Sequence, residues 1–173
     1  MVGFVALGLF VAFIVSIGWT HYRGAPWVPS TRAMVREMLS LADVKPGDVV
    51  YALGCGDGRF LITAAWEYGA TAVGIEIDPL RYMWCQLLIT VLRCRGRVRL
   101  IFGDFFKQDL GGADVVTCYL AHDTNQKLAA KLKEELRFGA RVVSNTYRFE
   151  GMDPVRTMGP ARLYVLCQES PPN

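Results

Sequence analysis

The chain has 173 residues, enough for one domain of ordinary size with a short appendage, and 52% of them are apolar. Nineteen Lys and Arg against sixteen Asp and Glu leave a net charge of +3, too small an excess to argue for nucleic acid as a partner. The cysteines at 55, 85, 94, 118 and 167 form no Cys-x-x-Cys pair, and His21 and His122 are the only histidines, so no metal site is expected and reduced core thiols are.

Residues 1–19 contain no charged side chain, and residues 2–18 are almost all apolar. At 1.5 Å per residue that stretch makes roughly 26 Å of helix, against a hydrocarbon core of about 30 Å. Trp19, His21 and Tyr22 suit the interface beyond it. One N-terminal transmembrane helix is therefore expected. A secretory signal peptide is disfavoured because no Lys or Arg precedes the apolar run. A buried core helix is disfavoured because the run has no polar face. Arg23, Arg32 and Arg36 follow it, so the positive-inside rule places the rest of the chain in the cytoplasm, or on a matrix-like side in an organelle.

Residues 24–29 read as a stiff linker because two prolines block helix. Ser30 is the expected N-cap of a helix over 31–41, whose apolar residues fall at 34, 35, 38, 39 and 41. A turn at Pro46-Gly47-Asp48 leads to a strand at 48–53 and a glycine-rich loop. A helix at 59–68, a strand at 71–77 and a helix at 79–93 follow, then strands at 97–102 and 113–119. A helix at 124–136, a strand at 139–146 and a last strand at 162–168, paired with 155–158, complete the pattern. Residues 83–92 are expected to be buried between the sheet and its neighbours. Only residues 170–173 read as disordered.

Alternating strands and helices predict an α/β, doubly wound, mostly parallel sheet with an antiparallel C-terminal strand pair. Three segments result: an anchor over 1–22, a linker and N-terminal helix over 23–47, and the main domain over 48–173.

Four features fall at the carboxyl ends of predicted strands, where a doubly wound sheet binds ligands. Gly54-Cys55-Gly56-Asp57-Gly58 lets the backbone approach a ligand and leads into a helix N-terminus. Glu76, about twenty residues on, can accept both hydroxyls of a ribose. In Gly103-Asp104-Phe105 the carboxylate can accept from an adenine amino group while the ring covers its face. Cys118-Tyr119-Leu120 follows the fourth strand. Each has a plainer reading: a tight turn, a solvated strand end, a cap, core packing. Their placement at successive strand ends points to an adenosine ligand. A nicotinamide dehydrogenase would space its last glycine one residue further, where this chain has Arg59.

The run Val49-Val50-Tyr51-Ala52-Leu53-Gly54-Cys55-Gly56-Asp57-Gly58-Arg59, followed by Gly74-Ile75-Glu76-Ile77-Asp78-Pro79, resembles the cofactor motifs of Rossmann-like S-adenosylmethionine-dependent methyltransferases. The resemblance covers nearly all of 26–168. The N-terminal apolar run, Pro26-Trp27-Val28-Pro29-Ser30-Thr31, Asp57-Gly58-Arg59 and Tyr119-Leu120 with Asn125 narrow it. The chain is similar to small membrane-anchored protein-lysine methyltransferases, including those of the mitochondrial ATP synthase c-subunit and adenine nucleotide carrier.

The resemblance implies S-adenosylmethionine as cofactor and a protein lysine as acceptor, membrane-embedded proteins included. It implies a cofactor site of Pro29, Thr31, Leu53, Gly54, Cys55, Gly56, Glu76, Ile77, Asp104 and Phe105. Tyr119 is the catalytic candidate, lining the acceptor channel through its ring face or backbone carbonyl. Asp123 is a candidate base, with N-cap of the following helix the preferred reading. Ala52 departs from the family, which usually carries Asp or Glu there to organise the loop and the cofactor's amino end. A small-molecule or lipid methyltransferase and a non-catalytic tethered module are the competing readings.

Overall fold

The computed structural model describes residues 30–94 and 96–166. The expected anchor, the linker, Pro29, Cys167 and the C-terminal tail lie outside them. Among the described residues no helix is long and apolar enough to cross a membrane.

Helix α1 (Arg32–Leu41) is followed by β1 (Val49–Leu53), α2 (Arg59–Glu67), β2 (Thr71–Glu76), α3 (Pro79–Val91) and β3 (Val98–Phe102). After a short 3-10 turn (Phe105–Lys107) come β4 (Val115–Cys118), α4 (His122–Glu135), β5 (Arg141–Asn145), β6 (Arg156–Met158) and β7 (Ala161–Val165). The seven strands form one sheet in the order β3-β2-β1-β4-β5-β7-β6. Strands β1 to β5 are parallel; β7 runs antiparallel to β5 and to β6. The order reverses beside β1, with β2 on one side and β4 on the other. The carboxyl ends of these three strands therefore flank the crevice of the sheet.

Period-two alternation divides the core between the two faces. Val50 and Ala52 of β1 face the layer of α1, α2 and α3, with Val35, Met38, Leu61, Ala64, Cys85 and Ile89. Leu53, Ile75, Val116 and Val142 face α4, with Leu128 and Leu132. Gly74 sits beside Ala52 in the register of β1 and β2. A Cβ at Gly74 would overlap a Leu61 methyl and the Cys55 sulfur, so this glycine lets α2 lie close on the sheet.

Three expectations are corrected. Thr31, not Ser30, caps α1: its hydroxyl accepts from the Met34 N–H at 3.1 Å. Ser30 is instead held through its backbone carbonyl by Arg59. Asp123 is no N-cap, because α4 begins one residue before it and Ala121 takes the cap position. Its charge sits in the first helical turn, which the helix dipole favours. Helix α3 is not buried on all sides either. Met83, Trp84, Leu87 and Val91 are 52–65% exposed, because α3 covers the border of the sheet where β3 has no neighbour.

Candidate functional site

The loop after β1 is held by its own backbone. The N–H groups of Gly54 and Cys55 both donate to the Ile75 carbonyl, at 2.9 and 3.1 Å, and Gly58 donates to the Cys55 carbonyl at 2.9 Å. Gly54, Gly56 and Gly58 have φ of 67°, 58° and 81°, a region that L side chains enter at a cost. At Gly58 the constraint is also steric, since a Cβ would overlap the Cys85 sulfur of α3.

Glu76, 4% exposed at the end of β2, completes the loop. One carboxylate oxygen accepts from the Gly56 N–H at 2.8 Å and the other from the Asp78 N–H at 2.9 Å. A carboxylate has about four acceptor directions, so each oxygen keeps one for a ligand hydroxyl. Burial pushes the Glu76 carboxyl above the ordinary glutamate range, opposed by the two backbone N–H groups and by the Arg81 charge. Asp78 is fully buried and caps α3 by accepting from Leu80 and Arg81 N–H groups at 2.9 and 3.0 Å. Pro79 follows in the first turn. Asp78 thus fixes the chain direction immediately after Glu76.

Ala52 is 2% exposed within the apolar layer beside Cys55 and Leu61. The loop N–H groups that a family acid at this position would help to order are here satisfied by Glu76 and the Ile75 carbonyl.

The remaining predicted residues fall around the same strand ends. Ile77 is partly exposed after Glu76. Asp104 is partly exposed after β3 and caps the short turn, one oxygen accepting from the Phe106 N–H at 2.9 Å; the other is left for a donor. Phe105 is half-buried against Phe106, ring centroids 4.6 Å apart. Leu53 and Cys55 point into the core, so only their backbone reaches the crevice. Thr31 is exposed and its hydroxyl is engaged as the α1 cap.

Tyr119 follows β4, half-buried. The register pairs Cys118 with Ser144, which sets Tyr119 beside Asn145. Asn125, buried in α4, donates to the Ser144 hydroxyl at 3.0 Å and the Tyr147 carbonyl at 3.1 Å. The side-chain oxygens of Asn125 and Asn145 are buried with no hydrogen-bond partner among the described residues. They are unspent acceptors beside the end of β4. No thiolate competes there: burial pushes the Cys118 thiol up to about 12.

Sequence reasoning missed three of these groups. The cap role of Asp78 was legible from Asp-Pro ahead of an apolar run. Asn145 lies in a strand and carries no local signal. Arg59 bridges to the Ser30 carbonyl and to the Asp57 carboxylate, a contact across 29 residues that no motif announces. It ties the segment preceding α1 to the glycine loop.

Known proteins share this sequence pattern and fold. Residues 52–156 match the model of the ANTKMT methyltransferase domain. A protein-lysine N-methyltransferase of Saccharolobus islandicus (strain REY15A) is 42% identical over 130 residues, 75% of this chain and 81% of that one. The adenine nucleotide translocase lysine N-methyltransferase of Mus musculus is 34% identical over 135 residues, 78% of this chain; the chain spans 58% of the length of that protein. The crystal structure of an RNA methyltransferase from Salinibacter ruber in complex with S-adenosyl-L-homocysteine aligns with a TM-score of 0.78 and 38% identity, covering 84% of this chain and 98% of that one.

Proposed function

The chain belongs to the ANTKMT methyltransferase family, and from that premise we propose that it methylates a lysine side chain of a protein held in or on a membrane. It is an S-adenosylmethionine-dependent enzyme with a Rossmann-like methyltransferase sheet. The residues present fit that cofactor. Glu76 keeps one acceptor direction on each oxygen for the ribose hydroxyls, and Asp104 keeps one oxygen for an amino group, with Ile77 and Phe105 as apolar neighbours. When bound, S-adenosylmethionine supplies a methyl carbon on a sulfonium, open to in-line displacement by an amine.

The protein's part is positioning. The carrying observation is the pair of buried, unpartnered side-chain oxygens of Asn125, on α4, and Asn145, at the carboxyl end of β5, the strand next to β4, which Tyr119 follows. Both are closed to solvent in the unliganded chain, so a side-chain shift that opens either one would let it accept from an N–H of an incoming amine and leave the lone pair to point elsewhere. A lysine must arrive neutral, against an ordinary pKa of about 10.4, and burial at this strand end lowers that value. The Tyr119 ring or carbonyl steadies the charge that develops on nitrogen. Asp123 is exposed in the first turn of α4, so bulk water is the simpler sink for the released proton.

The membrane part of the proposal rests on residues 2–18, an apolar run at the short end of the spanning range, with Trp19, His21 and Tyr22 suited to the interface. The basic residues that follow favour a cytoplasmic catalytic domain.

The test is incubation of the full chain with labelled S-adenosylmethionine and native membranes. Protease-sensitive label that analyses as methyl-lysine in a membrane protein is expected. Label in solvent-extractable lipid, or label released by ribonuclease, overturns the lysine reading; the ribonuclease arm matters because the Salinibacter ruber relative is named for RNA. Tyr119→Ala is expected to lower kcat more than Tyr119→Phe, which keeps the ring.

A further inference from the structure

Helix α3 carries an apolar stripe on the wrong side for a core. Met83, Trp84, Leu87 and Val91 are each more than half exposed, while Cys85 and Ile89 are buried. At about 100° per residue the four exposed positions fall within an arc of roughly 100°, opposite the buried pair. The stripe runs about 12 Å along the helix. At the neighbouring border, Phe102 at the end of β3 is exposed and meets Tyr82 edge-on at 5.3 Å. Trp66, 58% exposed on α2, shares a groove with Leu88 of α3 and its C-cap residue Leu92. A contiguous exposed apolar surface of this kind marks an interaction site.

Its charge is one-sided. Residues 79–103 contain five arginines, at 81, 93, 95, 97 and 99, and none of the chain's sixteen acids. Arg93, Arg97 and Arg99 are exposed around the C-terminal end of the stripe. The carboxylates around the helix are already engaged: Asp78 is buried as the α3 cap, and Asp57 and Glu67 in the adjoining groove are paired with Arg59 and Arg36. An apolar helical face with an indole and a rim of guanidinium groups matches the boundary between acyl chains and anionic headgroups.

We infer that α3 lies in the surface of an anionic lipid bilayer, with Met83, Trp84, Leu87 and Val91 in the acyl boundary and Arg93, Arg97 and Arg99 on lipid phosphates. The inference deepens the membrane part of the proposed function and is independent of the acceptor's chemistry. Three of the four stripe residues are aliphatic or thioether side chains. A bilayer takes these up, whereas single-stranded RNA prefers aromatic platforms interleaved with basic groups. The consequence is functional. Only Ile77 and the cap Asp78 separate Glu76 from the start of α3, and the Arg81 charge acts on the Glu76 carboxylate. A docked α3 therefore brings the rim of the cofactor crevice to the membrane surface, within reach of a lysine just outside the bilayer.

The experiment uses the full chain in vesicles with and without an anionic lipid, with Trp19, Trp27 and Trp66 replaced by Phe so that Trp84 is the sole indole. A control replaces all four tryptophans by Phe and adds Phe138→Trp, at an exposed position between α4 and β5. Flotation with the vesicles reports the anchor; quenching of Trp84 by lipids brominated on the acyl chain reports the stripe. Expected are a blue shift and at least a twofold loss of Trp84 emission, stronger with the anionic lipid, and no quenching of the control. A floating chain whose Trp84 stays open to aqueous iodide overturns the inference and leaves the anchor standing. Trp84 shielded from iodide but untouched by brominated lipid also overturns it, and assigns the stripe to a second copy or to residues 2–18. Protection of Trp84 by an RNA oligonucleotide in place of vesicles overturns it in favour of nucleic acid.

Discussion

Replacing Glu76 by Gln removes a charge and keeps the shape, and its effects separate ligand binding from folding. In the folded chain the carboxylate accepts the Gly56 and Asp78 N–H groups at 2.8 and 2.9 Å. A glutamine offers one oxygen and one NH2, so one of these donors meets a donor and loses its partner. An unsatisfied buried donor costs about 1–3 kcal/mol. Against that stands the penalty of keeping Glu76 ionised. Burial raises its pKa above the ordinary value of 4.5, so its contribution to stability is full below that value and is lost as pH rises through the raised folded pKa. At neutral pH the ionised group costs stability, and glutamine escapes the cost. The two effects oppose, so the melting temperature of the unliganded variant should move by only a few degrees, at about 2–4 °C per kcal/mol for a chain this size. Cofactor affinity has no such offset. Losing one charge-assisted hydrogen bond costs about 1.5–3 kcal/mol, or about 10- to 150-fold in Kd. Titration calorimetry with S-adenosyl-L-homocysteine measures this directly. The unsubstituted chain should also bind more weakly as pH falls through the raised Glu76 pKa, and the Gln variant should lose that dependence. A Kd within threefold of the unsubstituted chain would mean that Glu76 orders the loop without meeting the ligand.

Three further outcomes are expected. Gly58→Ala forces a Cβ onto the Cys85 sulfur at a φ of 81°; the loss should be about 2–5 kcal/mol by denaturant unfolding, and adding Cys85→Ala should recover the steric part, so no recovery argues against the overlap. Arg59→Lys cannot span Asp57 and the Ser30 carbonyl together; KM for the cofactor should rise on the order of tenfold, the worth of one bond to a charged group, with kcat nearly unchanged, and the reverse split counts against the clamp. Ala52→Asp restores the family's acid but places a charge in an apolar layer whose neighbouring N–H groups are already paired; it should destabilise by several kcal/mol, and unchanged stability with tighter cofactor binding would show that the loop needs an acid there.

Much of the fold was open to inspection one residue after another. The alternation of apolar runs with helical periods marks five parallel strands and their covering helices, and Gly159-Pro160 joins β6 and β7 as the spacing suggests. Local chemistry also marked the crevice, because glycines after β1, an acid after β2 and an acid–aromatic pair after β3 sit at strand ends in any doubly wound sheet. The cap expected at Ser30 falls one residue on, at Thr31, because neighbouring polar residues compete on nearly equal terms, and the cap expected at Asp123 falls two residues back, at Ala121, which makes no side-chain cap bond.

Residue type and spacing fix the class of site: backbone conformations that glycine adopts at least cost, and carboxylates spaced by the length of one strand–helix–strand unit. These depend on residue type and separation, which the chain carries in one dimension. The tertiary structure decided how each group is spent. It gave Glu76 two backbone donors and made it the organiser of a loop that lacks an acid at position 52. It brought Arg59 to Ser30 and left the Asn125 and Asn145 oxygens buried without a partner among the described residues. It also turned α3 so that an apolar stripe faces outward, at the edge of the sheet, where the strand order ends. Burial and hydrogen-bond partnership are properties of which surfaces meet, and periodicity cannot say whether an apolar face meets protein or something else.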